Sequence, residues 1–284
     1  MSLTLLGGEV ECSTRSNPRV TKSSFTHTRK PFLASISLKP LVSSKKALVE
    51  QSLPIEEIIG SGGGETKGTQ RLRRNLTAVN WVKETFTIVK TINGETRESV
   101  SHKVDHVRIF EKQDQPRCRI ALEIEWNNKD PFFDRDLENF KRLHVEGAIS
   151  AGIIVTRGIS LQDEMKVLVR RWIDESKAKS FEDLAHSGVL PTTRQRREVM
   201  KRVERKKNPL PFQQAWVEHF VSDKYGAATT HWRKLADRVQ RGVGNPCPLV
   251  LIGLPSSIVT FGEDPAVVAH LLEEGAAAYE AEGI

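Results

Sequence analysis

The chain predicts an α/β fold, a central mixed sheet flanked by helices, preceded by a basic N-terminal arm. Three observations carry that expectation. Residues 119–155 read as strand, helix, strand; an Asn93-Gly94 pair between two alternating stretches reads as a β-hairpin; and long stretches further on repeat their apolar residues at helical spacing. The 284 residues, with a formal net charge of +7, are enough to build a core without disulfide or metal staples. The organisation expected is a flexible basic arm over 1–46 and one folded domain over 47–284, with a helical elaboration at its C-terminal end.

The arm comes first. Residues 13–46 contain no acid, eight Lys or Arg and twelve Ser or Thr, so the segment is too polar to bury itself and is expected to be disordered. A transit peptide has a similar composition, but Glu9 and Glu11 at its front argue for a solvated tail. Between 44 and 59, Leu48, Leu53, Ile55 and Ile58 suggest a helix interrupted at Pro54. The glycine cluster GSGGGETKGTQ at 60–70 then leads into a helix from Thr69 to about Trp81, with Leu72, Leu76 and Val79 inward. Glycines ahead of a helix suggest backbone approaching phosphate. The cluster is not a P-loop, since Lys67 precedes Gly68 and no GxGxxG passes through it. Lys67, Arg71, Arg73 and Arg74 at this helix start suit a DNA backbone, or equally an ordinary solvated basic face.

After Glu84 the chain alternates into the hairpin, and a strand over 103–110 carries Asp105 between Val104 and His106. In RIALEIEW, Ile120, Leu122, Ile124 and Trp126 fall on one side of a strand, while Ala121, Glu123 and Glu125 fall on the other. Leu137, Phe140, Leu143 and His144 then share a helix face that Asp130 or Asp134 is expected to cap and Gly147 to end. The apolar run 148–155 reads as a buried parallel strand, which puts the acids near a strand end, where function sits in such sheets.

Past Arg157 a helix carries Met165, Leu168, Val169 and Trp172 on one face. Residues 194–207 hold eight basic side chains against two acids, either a nucleic-acid contact or a solvated face. Phe212, Trp216 and Phe220 follow as a buried helical face, then an apolar strand over 247–255 and a last helix starting at Asp264-Pro265.

Several classes are excluded on composition. Three widely spaced cysteines offer no CxxC pair, which argues for a reducing compartment and against a zinc site. No apolar run approaches the roughly 20 residues needed to cross a bilayer, so a cytoplasmic protein without membrane attachment is expected.

Two carboxylates at i and i+2 beside a β-branched run repel each other and resist desolvation unless a cation neutralises them. Asp105, a short excursion, then Glu123-x-Glu125 is the arrangement that a Mg²⁺-dependent phosphodiesterase needs. Asp105 and Glu123 are the expected Mg²⁺ ligands. Glu125 would take a proton from the attacking water or share a second ion, and Glu84 would add a fourth carboxylate. The plainer reading is a set of surface salt bridges.

EIEWNNKDPFFDRDLENFKRLH together with GIIVTRG resembles type II restriction endonucleases of the BglII and BamHI kind, within the wider PD-(D/E)xK nuclease fold. The resemblance extends upstream through 62–76 and 101–110, and downstream through 230–255. Where most of that superfamily carries lysine, Glu125 stands, a feature shared by BamHI-like enzymes; the usual proline before the first Asp is Val104 here. The resemblance implies a restriction-endonuclease-like domain and a Mg²⁺-dependent, sequence-specific endonuclease. It would cut double-stranded DNA at a short palindrome as a homodimer, with a DNA methyltransferase as functional rather than physical counterpart. It also implies an upstream site residue, Glu84 or alternatively Asn80, and phosphate contacts from Lys129 and Arg157. His102, His106 and His144 are read as core residues. The expected dimer interface is the helix over 134–146 or the stretch 216–220. The alternatives are a DNA-binding protein without hydrolytic activity and a repair-type or RNA nuclease of the same fold.

Overall fold

Strand alternation and helical spacing resolve, in the computed structural model, into elements over the described residues 2–5, 10–14, 52–60, 66–110 and 118–262. In chain order these are β1 (Ser2–Leu5), β2 (Val10–Thr14), β3 (Leu53–Pro54), α1 (Ile55–Ile59), α2 (Lys67–Ala78), β4 (Val82–Ile92), β5 (Glu95–Phe110) and β6 (Cys118–Glu125). There follow α3 (Phe132–Val145), β7 (Ala151–Arg157), α4 (Ile159–Ser176), α5 (Phe181–His186), α6 (Thr193–Val203), α7 (Phe212–Tyr225), α8 (Trp232–Gln240), β8 (Leu249–Leu254) and β9 (Val259–Thr260). The described residues group into two compact units. One is built around Asn75–Gly158 and Thr230–Leu254, the other around Ile159–Thr229 with the described parts of Val49–Arg74 and Pro255–Ile284.

The first unit is the expected α/β layer. Its sheet runs β1-β2-β8-β7-β6-β5-β4, with β8, β7 and β6 parallel and the flanking pairings antiparallel. The parallel centre follows from sequence: every residue of β7 and β8 is buried, as a strand covered on both faces requires. The crossover helix α3 lays Phe133, Leu137, Phe140 and Leu143, all without solvent exposure, against this sheet. Fully burying each such side chain contributes about 2 kcal/mol. The helix sits so close that a Cβ at Gly152 of β7 would stand 2.3 Å from Phe140 Cδ2. Glycine is therefore required there.

The hairpin forms as expected, with Asn93 at φ +52° and Gly94 at φ +83°, the left-handed pair of a two-residue turn. Gly147, at φ +70°, follows the end of α3. The expected cap of α3 does not form. Pro131 occupies the N-cap with no side-chain hydrogen bond, and Asp130 and Asp134 instead bind cations of α8: Asp134 holds Arg238 Nε at 2.9 Å and Asp130 holds Lys234 at 3.3 Å. Pro131 supplies no capping oxygen, and the two acids fasten α8 to the loop after β6 and to the first turn of α3.

In the second unit, α4 and α7 pack through Trp172 and Trp216, with ring centroids 5.7 Å apart, and Trp216 stacks on Phe220 at 5.0 Å. Trp216 and Phe220 are thus core residues of this unit, which removes the 216–220 stretch as a subunit interface. Tyr225 Oη donates to the Ile58 carbonyl at 2.8 Å, tying α1 to the end of α7. The basic run begins with α6, whose Thr192 forms a capping box with Gln195.

Arg71 of α2 is also a structural residue. Its guanidinium grips Glu57 through Nε at 2.9 Å and Nη2 at 2.5 Å, and Glu57 is only 4% exposed. Arg71→Ala would leave a buried carboxylate without its cation, at a cost of about 3–5 kcal/mol. The expected outcome is a large drop in melting temperature with an unchanged salt slope of DNA binding. On the DNA-backbone expectation for this helix start, exposed Arg74→Ala would show the reverse, a slope lower by about one. Binding titrations across a salt series, paired with thermal melts, check both.

Most of the basic arm, the glycine run at 61–65 and the helix expected at Asp264-Pro265 lie outside the described residues. Among the described residues no helix is long and apolar enough to cross a membrane.

Candidate active site

The alternation of β6 delivers Glu123 and Glu125 to its C-terminal end, where pairing with β7 stops at Glu125 and Thr156. Both are buried, at 7% and 3% exposure. The Asp105 backbone N–H donates to Glu123 Oε1 at 3.2 Å, so Asp105 and Glu123 meet across the β5–β6 pair. The three expected acids are brought together.

A fourth acid joins them that sequence reasoning missed. Asp136 of α3, 2% exposed, stands beside Glu125 and is, after burial, the main cause of the rise in the Glu125 carboxyl. Its signal was present: Asp136 falls on the same helix face as Phe133 and Phe140. Arg135 faces the cluster, with Nε 2.8 Å from Asp136 Oδ1 and Nη2 3.4 Å from Glu125 Oε1. Asn128 Nδ2 donates to Glu125 Oε2 at 2.8 Å.

One guanidinium does not balance this many acids. Burial, then repulsion from Asp136 and Asp105, pushes Glu123 up to about 8. Burial and Asp136 raise Glu125 as well. Asp136 is itself raised by burial, against the opposing hydrogen bond and charge of Arg135. For Asp105, burial acts upward, but the hydrogen bond and charge of Lys83 outweigh it and hold the carboxyl below its ordinary value. The Lys83–Asp105 contact is 2.8 Å long with both side chains about half exposed, so it contributes roughly 0–1 kcal/mol and yields readily to a competing cation.

The residues fit a divalent ion. The donors are all carboxylate oxygens, they meet at a strand end, and two of them are raised by burial and then by the neighbouring acids. Among the described residues no three His, Cys, Asp or Glu side chains stand ready around one point. Mg²⁺ asks for less, since it takes one or two carboxylates and completes its shell with water and substrate phosphate.

The family model for restriction endonuclease BglII/BglIII matches residues 42–254, three quarters of the chain. The chain belongs to this restriction endonuclease family. Comparison with curated proteins gave no match. The endonuclease is thus a site-specific deoxyribonuclease, a DNA-binding hydrolase of restriction–modification.

The structure of the endonuclease separates the remaining expected site residues. Glu84 pairs with Arg119 at 3.7 Å, and the carboxylates acting most strongly on Glu123 are those of Asp136 and Asp105. Asn80 lies at φ +65° just beyond α2, exposed, where it turns the chain out of the helix. Lys129 is exposed beside the site, Arg74 is exposed on α2, and Lys67 opens that helix half-buried.

Arg157 is placed differently from its expected position along the DNA. It has no solvent exposure, its Nε donates to the Trp126 carbonyl at 2.8 Å, and its Nη2 donates to the Thr230 carbonyl at 2.6 Å. Thr156 Oγ1 donates to the Glu125 carbonyl at 2.7 Å, and Thr230 N–H to the Asn128 carbonyl at 2.8 Å. Together these bonds fix the segment that carries Asn128 to Glu125. The histidines keep structural partners, His102 with Asn139 at 2.9 Å and His144 with the Ile149 carbonyl at 3.1 Å.

Proposed function

We propose that this restriction endonuclease requires Mg²⁺ and cuts both strands of a short palindromic duplex as a homodimer, using an E-x-E variant of the PD-(D/E)xK site on the domain over 47–284. The observation that carries the proposal is the convergence of Asp105, Glu123, Glu125 and Asp136, with Arg135 on Glu125 and Asp136 and a half-exposed Lys83 on Asp105. Such a cluster beside phosphates is a liability to a protein that only binds DNA, and an asset to one that gathers a cation there. A cytoplasmic setting and a methyltransferase protecting the same site complete this reading.

Asp105 and Glu123 would hold the ion, and when bound it supplies positive charge to the scissile phosphate. Glu125 accepts the proton of the attacking water. Asn128 and Arg135, on separate oxygens of Glu125, fix its orientation for that transfer. Arg135 also offers a positive charge to the phosphate group as negative charge builds on it. Lys67, Arg74 and Lys129 take up backbone phosphates further along the duplex, while Arg157 acts from behind, by holding the segment after β6.

Cutting both strands of a palindrome requires two sites related by two-fold symmetry. Supercoiled plasmid carrying sites is therefore expected to pass directly to the linear form with Mg²⁺ and to remain intact with a chelator. A long-lived nicked form would point to a single-strand enzyme and overturn the dimeric reading.

A further inference from the structure

The β4–β5 hairpin does far more than deliver Asp105. Among the described residues, β5 pairs with β6 over residues 106–110 and β4 pairs with no strand but β5, so 85–92 and 95–103 pair only with each other. Within that stretch Phe86 and His102 are buried, and nearly everything else is exposed on both faces. Among the described residues no layer covers this ribbon, and a two-stranded ribbon alone is marginal in water, which points to a surface completed by a partner.

The two faces differ in chemistry. One carries the cross-strand pairs Thr87–Ser101, Val89–Ser99 and Thr91–Thr96, with Thr87 and Ser101 hydroxyls 3.2 Å apart, and reaches Lys103 at its base. No acid of residues 85–103 stands on it. Both acids of the ribbon lie elsewhere: Glu98 pairs with Lys90 on the opposite face, and Glu95 pairs with Arg97 at the tip. Exposure alternates through Ser101, Lys103 and Asp105, so the hydroxyl face leads along β5 into the acid cluster.

We propose that residues 85–103 form an arm that lies in a groove of the bound duplex, with the hydroxyl face against the DNA. The inference rests on the reading above that the scissile phosphate sits at Asp105 and Glu123, because a duplex seated there runs past the base of the ribbon. A two-stranded ribbon fits the major groove, and hydroxyls serve both phosphate oxygens and base edges as donor or acceptor. From Lys103 to Thr96 the ribbon extends about 25 Å, the rise of about seven base pairs. Charge agrees with this occupant, since Lys83 and Lys103 flank the base of the acid-free face.

The test uses the full chain and a labelled random-sequence duplex, with affinity read by fluorescence anisotropy in chelator, so that binding is measured apart from cutting. Thr87→Glu with Ser101→Glu places two negative charges on the hydroxyl face. It is expected to weaken binding about tenfold or more with only a small fall in melting temperature, since the two like charges face each other on an exposed ribbon. Ile92→Glu with Ile88→Glu puts the same two charges on the opposite face, Ile92 being already 57% exposed, and is expected to leave affinity unchanged. Equal affinity in both variants would overturn the arm. Loss of self-association without DNA in the hydroxyl-face variant, seen by sedimentation, would assign the surface to a second copy of the chain instead. A wild-type chain that binds the duplex yet leaves phage DNA uncut with Mg²⁺ would sink the nuclease reading, while the anisotropy comparison would still decide the arm.

Discussion

Glu123→Gln is expected to lower DNA cleavage about a thousandfold or more while leaving DNA binding intact or slightly tighter. The amide keeps the shape of the side chain and can still accept the hydrogen bond from the Asp105 backbone N–H. What it loses is the negative charge that gathers a cation beside the phosphate. Because Glu123 is buried among like charges, the same change also relieves repulsion in the protein without metal. The variant is therefore expected to melt no lower than wild type, which separates a lost reaction from a lost fold. Cleavage at the wild-type rate would remove Glu123 from the chemistry.

The strand–helix–strand unit that positions Glu123 was legible because its periods are clean. Alternation over 119–126 gave way to helical spacing at Leu137, Phe140 and Leu143, and the apolar run after Gly147 had only a buried strand to become. The turn at Asn93-Gly94 was equally plain, since left-handed backbone at two successive positions selects those residues. Asp105, Glu123 and Glu125 could be assembled because all three lie on adjacent paired strands.

Partnerships distant in sequence were not legible. Arg157 looked like a phosphate ligand because its acceptor at Thr230 lies 73 residues away, and a backbone carbonyl leaves no mark on composition. Arg71 stood among arginines at a helix start, and nothing local marked the buried Glu57 that holds it. Asp136 hid for the opposite reason. It sits in an acidic stretch, DRDLE, where a solvated helix start is the ordinary reading, and only its place on the Phe133–Phe140 face marks it as buried. The division of the described residues into two units was invisible too, since each is assembled from separated stretches of chain.

Without metal, the protein is expected to lose stability as pH rises from about 4.5 toward 8. Glu123 titrates at an ordinary 4.5 when unfolded and at about 8 when folded. Between these values the folded chain holds more protons than the unfolded one, so raising the pH favours unfolding. The stabilisation is complete below about 4.5 and is lost as pH climbs through about 8, on the order of 4–5 kcal/mol for this one buried group. Glu125 and Asp136, both raised, act in the same direction. Asp105, lowered by Lys83, titrates below this window; its small, half-exposed contribution is constant across it and is lost only as pH falls beneath its ordinary value. Thermal melts in chelator across this range should show a steady fall. A divalent ion reverses the slope, because it binds the deprotonated carboxylates and displaces their protons.

That exchange gives the most direct measurement. Mg²⁺ titrated calorimetrically into the wild-type protein near neutral pH, in two buffers of different ionisation enthalpy, reports how many protons leave as the ion binds. The account predicts binding with release of about one proton or more, and loss of that binding in Glu123→Gln. Equal Mg²⁺ binding by both proteins, with no proton released, would contradict it.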